Sequence, residues 1–239
     1  MLQFKKKADQ QIVEELNVVN CPVCKAYVCH QFFMKNSDSG ITSRWFSCSC
    51  GVVWQSKLPS GHKFKEEPFN QKTYDEYAHA VKVYSPIIEE LIYGRKVLIV
   101  NSPNDYQQKE FERRGWIVTK SDDLEKQKFK ESEKFNLIWL YSSLERFKDP
   151  IASLALCVKL LVEDGIIFIA SPDTDFISTR SSSNFIHWKP ETNHIMWNRR
   201  SIVRHLENLG FNVILNRQNY EHRFPAWDDF HVLAQKKFF

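Results

Sequence analysis

From residue 96 onward, short apolar runs alternate with stretches of helical period. VLIV at 97–100 reads as a buried strand, followed by an amphipathic segment to Arg114, a glycine at 115 and the run WIVT. A mixed-charge stretch leads to FNLIWLY, then an apolar helical pattern in DPIASLALCVKLLV, Gly165 and the run IIFIASP. Short apolar runs bounded by turns and separated by helices predict a parallel sheet covered on both faces, an α/β fold. NHIMWNRRSIVRHLENLG contains a helix that stops at Gly210, a natural left-handed cap. FNVIL and FHVLAQK follow with no helix-length pattern between them, which predicts two consecutive strands and an antiparallel addition to the sheet. Upstream, TYDEYAHAVKVYSPIIEELI predicts a helix packed on the sheet domain, and KLPSGH a turn.

The first sixty residues have another character. Five of the six cysteines lie between Cys21 and Cys50, with Cys21-Pro-Val-Cys24 and Cys48-Ser-Cys50-Gly51 on either side of a hairpin-like run. In a reducing compartment that pattern points to metal rather than disulfides. Tetrahedral zinc needs four soft ligands from two rigid turns, so Cys21, Cys24, Cys48 and Cys50 predict a small structural zinc ribbon. The second spacing is one residue short of CxxC, and Cys29 or His30 is an alternative ligand. Four protein ligands leave no open position, so zinc here folds the module and does not activate water. The plain alternative is a metal-free module held by Tyr27, Phe32, Phe33, Trp45 and Phe46. Cys157, inside an apolar helical pattern, reads as a small buried hydrophobe.

Composition narrows the partners. The chain has 239 residues, 43% of them hydrophobic and 14% aromatic, enough for one α/β domain and an appendage. The expected organisation is a ribbon over 1–60, a helical connector over 61–95 and an α/β domain over 96–239. Net charge is only +4, and basic residues are scattered except at Lys5, Lys6 and Lys7 and in KSDDLEKQKFKESEK. A solvated surface explains these better than nucleic acid. No apolar run approaches the ~18 residues that cross a bilayer, and MLQFKKKADQ lacks a signal-peptide core, so no membrane and a cytoplasmic location are expected. His62 and His79 fall on polar stretches and receive no role.

The motifs resemble class I S-adenosylmethionine-dependent methyltransferases, specifically the bacterial group with an N-terminal zinc ribbon. CPVC and CSCGVVW followed by LPS are similar to that ribbon. FNLIWLYSSLERFKDPIASLALCVKLLVEDGIIFIASPD is similar to the family's fourth strand, its leucine-glutamate-histidine turn, the aspartate-proline helix and the fifth strand. NHIMWNRRSIVRHLENLGFNVI resembles its late histidine-aromatic segment and following helix. The resemblance implies a Rossmann-like sheet, mostly parallel with an antiparallel C-terminal strand, and S-adenosylmethionine as cofactor. It also implies cofactor contacts at Asn101, Ser102, Asp105, Asp122, Tyr141 and Ser142, with Asp122 matching the acid that binds the ribose hydroxyls. Ser143 and Arg146 share the turn, Arg146 standing where the family has histidine, and Glu145, His187 and His194 are candidates to take the acceptor's proton.

This chain departs from the family at the cofactor loop. Asn101, Pro103 and Asp105 stand where a G-x-G-x-G loop is expected, and Ile99 stands in place of the strand acid. Glycine matters there because the backbone must approach the cofactor closely and adopt dihedrals a side chain disfavours. Pro103 also removes an amide donor. The segment between Asp122 and Asn136 is too short for the helix, strand and adenine loop of the family. Asp122 has a plain alternative as a first-turn or N-cap acid; Glu145 and the histidines have one as turn anchors.

Three functions follow as expectations. One is methyl transfer to a small-molecule or sugar-like acceptor. Another is a catalytically silent methyltransferase-fold protein that binds or assembles with a protein partner. The third is nucleic-acid binding through Lys5 to Lys7 with Arg199, Arg200 and Arg204, which would show steep salt dependence.

Overall fold

The computed structural model describes residues 20–27, 29–35, 42–55, 71–102, 104–177, 187, 189, 191–218 and 229–237. Lys5 to Lys7, KLPSGH with His62, and Pro103 lie outside the described residues. In chain order the elements are β1 (Cys29–Lys35), β2 (Thr42–Cys48), β3 (Val53–Gln55), α1 (Gln71–Leu91), β4 (Lys96–Val100), α2 (Tyr106–Arg113) and β5 (Ile117–Ser121). Then come β6 (Phe135–Tyr141), α3 (Pro150–Leu160), β7 (Leu161–Pro172), β8 (Ile195–Met196), α4 (Arg199–Asn208), β9 (Phe211–Gln218) and β10 (Asp229–Lys236). Short 3₁₀ turns occupy Leu144–Arg146 and Thr174–Ile177.

Among the described residues the larger sheet has the order β5-β4-β6-β7-β10-β9. β5, β4, β6 and β7 are parallel, whereas β10 runs antiparallel to both β7 and β9. Alternate residues of each strand face opposite sides. Val97, Ile99, Leu137, Trp139 and Phe168 meet Tyr84 and Ile88 of α1 and Phe111 of α2. Leu98, Val100, Ile138, Leu140 and Ile167 meet Leu154 and Cys157 of α3 and Ile202 and Leu206 of α4. Coverage on both faces explains why these strands read as unbroken apolar runs. Cys157 is the buried small hydrophobe its pattern predicts.

Three local features shape the packing. α1 passes through Pro86, which is exposed, so the hydrogen bond the proline cannot donate is lost on the solvent side. β7 begins at Leu161, not after Gly165: Phe135 pairs with Leu161 and Leu137 with Ile166, so the intervening residues bulge out of register, with Asp164 at φ 59. The third is β8. It pairs with β3, Val53 opposite Met196, and completes a four-stranded antiparallel sheet of order β1-β2-β3-β8.

The cysteine-bearing module therefore packs directly on the α/β core. Cys21, Phe46, Val52 and Trp54 belong to the same buried cluster as Leu98, Leu144 and Ile195. At the other end, residues 122–134 form turns and irregular chain, and β5 stands at the sheet edge. The short crossover expected from the sequence leaves no room for a further strand.

Candidate functional site

Two turns bring the cysteines together. At the first, the Cys21 N–H donates to Ala26 O at 2.9 Å and the Lys25 N–H to Cys21 O at 3.0 Å, with Lys25 at φ 62. At the second, the Gly51 N–H donates to Cys48 O and the Cys48 N–H to Val52 O, both at 2.9 Å. The Sγ atoms of Cys21, Cys24, Cys48 and Cys50 all lie within 4.8 Å of one another. Cys21 to Cys50 is 3.7 Å and Cys24 to Cys48 is 3.4 Å. A tetrahedron with Zn–S bonds of about 2.3 Å has S–S edges of about 3.8 Å, while a disulfide needs about 2.05 Å. The donor set fits a four-thiolate metal. Crowding is visible in the acidities: contact with the Cys50 thiol draws Cys21 down to about 5, Cys50 is pushed up in return, and burial raises Cys24. A divalent cation is what allows four thiolates at these distances. His30 is exposed, and the set is complete without it or Cys29.

The carboxyl ends of β4 and β6 form the second place of interest, since ligands of open α/β sheets bind there. The chain leaves both strands through left-handed residues, Asn101 at φ 52 and Ser142 at φ 51. Asn101 donates its N–H to Ser121 O at 2.7 Å, so the turn is tied to β5. Ser102 Oγ donates to Asn104 O at 2.8 Å, and Asp105 pairs with Lys120. Ser143 Oγ donates to Val100 O at 2.5 Å, which joins the two strand ends.

Buried side chains gather at these strand ends. Arg146 keeps some residue exposure but turns its guanidinium inward, where Nη1 donates to Asn101 O at 3.0 Å and burial lowers its pKa. Tyr141 is buried against Tyr77 of α1, with ring centroids 5.7 Å apart. Gln107 is buried and reaches Tyr77 O at 3.5 Å.

Next to this lies a buried polar row. Ser171 Oγ donates to Glu145 Oε2 at 3.1 Å, and burial pushes the Glu145 carboxyl upward. The His194 N–H donates to Glu145 O at 2.6 Å; its side chain is mostly buried and its pKa lowered by burial. His187 has its Nε2 3.4 Å from Asp229 Oδ1, its O accepts from Asn193 Nδ2 at 3.1 Å, and burial holds its imidazole down at about 3. Gln55, from β3, donates its N–H to His194 O at 3.0 Å and its Nε2 to Asn193 O at 2.6 Å.

A sheet with β10 alone reversed, left-handed exits at β4 and β6, and a short β5–β6 crossover without helix or strand together define the architecture. A family model described as a methyltransferase domain matches residues 61–216. The chain belongs to the class I S-adenosylmethionine-dependent methyltransferase family. No curated protein matches it. Among solved structures, it is similar to a chain of the complex containing the Haloferax volcanii Trm112 methyltransferase activator, at 9% identity and TM-score 0.49, covering 71% of this chain and 98% of that one. A Thermotoga maritima S-adenosylmethionine-dependent methyltransferase gives 15% identity and TM-score 0.46, covering 70% and 94%. The glycopeptide N-methyltransferase MtfA complexed with sinefungin gives 13% identity and 0.48, covering 76% and 92%.

Membership in this methyltransferase family supports S-adenosylmethionine as the cofactor to test, while the loop at the end of β4 departs from the family's glycine loop. Where the family's glycine loop lets backbone meet cofactor, this methyltransferase-like chain has a side chain at the left-handed Asn101 and a guanidinium on its carbonyl. Asp122 does point the other way. It is exposed just past β5, and the turn that follows starts at Asp123, whose O accepts from the Lys126 and Gln127 N–H groups. Of the residues singled out in the sequence, Asn101, Tyr141, Ser143, Arg146 and Glu145 come together, with His194 behind Glu145. Ser102 is engaged within its own loop, Asp105 pairs with Lys120 of β5, and Asp122 stands apart at the sheet edge. Sequence reasoning missed Gln55, Tyr77, Gln107 and Ser171, whose roles depend on chain crossings with no local pattern.

Proposed function

We propose that this chain is a methyltransferase-fold binding protein that transfers no methyl group on its own, its cofactor cleft being filled by its own side chains. The observation that carries the reading is the inward, buried guanidinium of Arg146 on Asn101 O, with Tyr77 near it. The buried Ile99 in place of the strand acid and the short β5–β6 crossover, which carries no helix or strand, support it. Structural zinc on Cys21, Cys24, Cys48 and Cys50 belongs to the same reading, as does a reducing location such as the cytoplasm. Glu145, His187 and His194 then act as buried anchors, and the ligand is a protein partner.

A second reading, methyl transfer to a small-molecule or sugar-like acceptor, is favoured by two observations. Asp122 is an exposed carboxylate at the carboxyl end of β5. Asn101 Oδ1 is a buried acceptor with no partner among the described residues. In that reading Arg146 swings out, and Asn101, Ser102, Asp105, Tyr141 and Ser142 line the cofactor. Asp122 holds its ribose, and Glu145, His187 or His194 receives the acceptor's proton. When bound, the cofactor supplies an activated methyl group on its sulfonium.

Calorimetric titration of zinc-loaded protein with S-adenosylmethionine, and separately with its demethylated product, decides between them. The expected result is no heat of binding up to about millimolar ligand, an affinity no better than ~4 kcal/mol. Saturable micromolar binding to the unmutated chain overturns the silent reading. Binding that arises only in Arg146→Ala supports it, with Arg146 as the plug.

A further inference from the structure

The polar row at the carboxyl edge is not built by the α/β domain alone. Gln55 belongs to the cysteine-bearing module, is 4% exposed, and holds both Asn193 O and His194 O. Val53 and Trp54 continue the attachment by pairing with Met196 and Ile195. His194 in turn donates its N–H to Glu145 O. The far end of this loop is attached as well. Thr174 Oγ1 donates to Gly51 O at 2.7 Å, its N–H donates to Trp197 O at 3.1 Å, and Gly51 lies directly against Asn198. Asn198 caps α4 by accepting from the Ser201 N–H at 2.8 Å.

We infer that Gln55 is a positioning residue through which the metal-loaded four-cysteine module holds residues 193–198 against Glu145. β3 takes its register from its neighbours. It has three residues, and the turn before it is the second cysteine knuckle, with Cys48 and Cys50 on either side of its tip. A turn that carries metal ligands draws part of its order from the metal, because the free energy of metal binding is also free energy of folding. Without the cation nothing draws together the four Sγ atoms that lie within 4.8 Å of one another, the knuckle loosens, and β3 loses the register that aims Gln55. The loop at 193–198 then loses two hydrogen bonds and a strand partner, while the β4-β6-β7 core keeps its own ladders. Metal loading thus sets the geometry of the site's late loop from the opposite end of the chain.

The inference rests on metal binding by the cysteines and is independent of whether the cleft admits S-adenosylmethionine. The test is hydrogen exchange by mass spectrometry on the full chain: zinc-loaded, chelated, and as zinc-loaded Gln55→Leu, with zinc stoichiometry measured on each sample. Chelation is expected to speed exchange across 193–201 by roughly tenfold or more, the factor that one lost buried hydrogen bond carries, with β4 and β6 still protected. Gln55→Leu should keep its zinc and speed the same segment by about tenfold. Unchanged exchange at 193–201 in the chelated protein or in Gln55→Leu overturns the inference. So does uniform loss of protection across both sheets, or full protection of the loop in a chain that holds no zinc.

Discussion

Replacing Gly51 by alanine tests the contact between the second cysteine turn and α4. Gly51 sits at φ +91, and an added Cβ would lie 2.2 Å from Nδ2, 2.4 Å from Cγ and 2.5 Å from Oδ1 of Asn198. The Asn198 side chain would have to rotate away, giving up the Ser201 N–H at 2.8 Å and Asp175 Oδ1 at 3.0 Å. Holding alanine in the left-handed region costs about 1 kcal/mol. Losing the N-cap costs about 1 kcal/mol and losing the second hydrogen bond about 1 kcal/mol. The expected destabilisation is therefore about 3 kcal/mol, read from equilibrium urea unfolding in zinc-containing buffer. In an Asn198→Ala background the cap is already gone, so Gly51→Ala should cost only the backbone share of about 1 kcal/mol, leaving a coupling of about 2 kcal/mol in the double-mutant cycle. Equal costs in the two backgrounds would refute the contact.

Burial holds His187 and His231 at about 3, below the ~6.5 of an unfolded chain. Under pH 6.5 the unfolded chain binds protons that the folded chain refuses, so stability falls as pH drops from about 6.5 toward 3, by on the order of 2 kcal/mol per histidine at pH 5. Urea midpoints at pH 7 and 5 should show it, and His231→Gln should flatten the slope; an unchanged slope removes His231 from the account. Metal analysis after chelator-free purification should find close to one zinc per chain, and less than about half an equivalent on folded protein would end the four-thiolate assignment. Asp149 Oδ1 accepts from the Ala152 N–H at 3.0 Å at the start of α3, so Asp149→Ala should lower stability by about 1 kcal/mol in urea melts. No change there would mean the cap contributes nothing.

The parts of the fold legible in the sequence are those whose residues carry the signal locally. Val97 to Val100 and Ile166 to Ala170 are covered on both faces, so each reads as a strand by itself. The four cysteines announce themselves by short spacing, and the short segment after Asp122 limits what can be built there. β8 was illegible because two residues have no period and its partner lies in another part of the chain. Arg146 was visible as a departure in a turn, but the direction of its guanidinium is decided by Asn101 O and Tyr77, contributed by other elements. Gln55 carried no signal, since a glutamine at a strand end is ordinary until its partners are known.

The pairing of β3 with β8 also orders events during synthesis. Gln55 and Asn193 are separated by 138 positions, which at about 5–20 residues per second is roughly 7 to 28 s on the ribosome. Through that interval the cysteine-bearing hairpin must exist with the outer edge of β3 uncovered, an open template for any passing strand. Early capture of the metal would give the nascent segment a shape before its neighbour emerges. Growth in zinc-poor medium should therefore lower the soluble yield of the whole chain, with the loss incurred before synthesis ends.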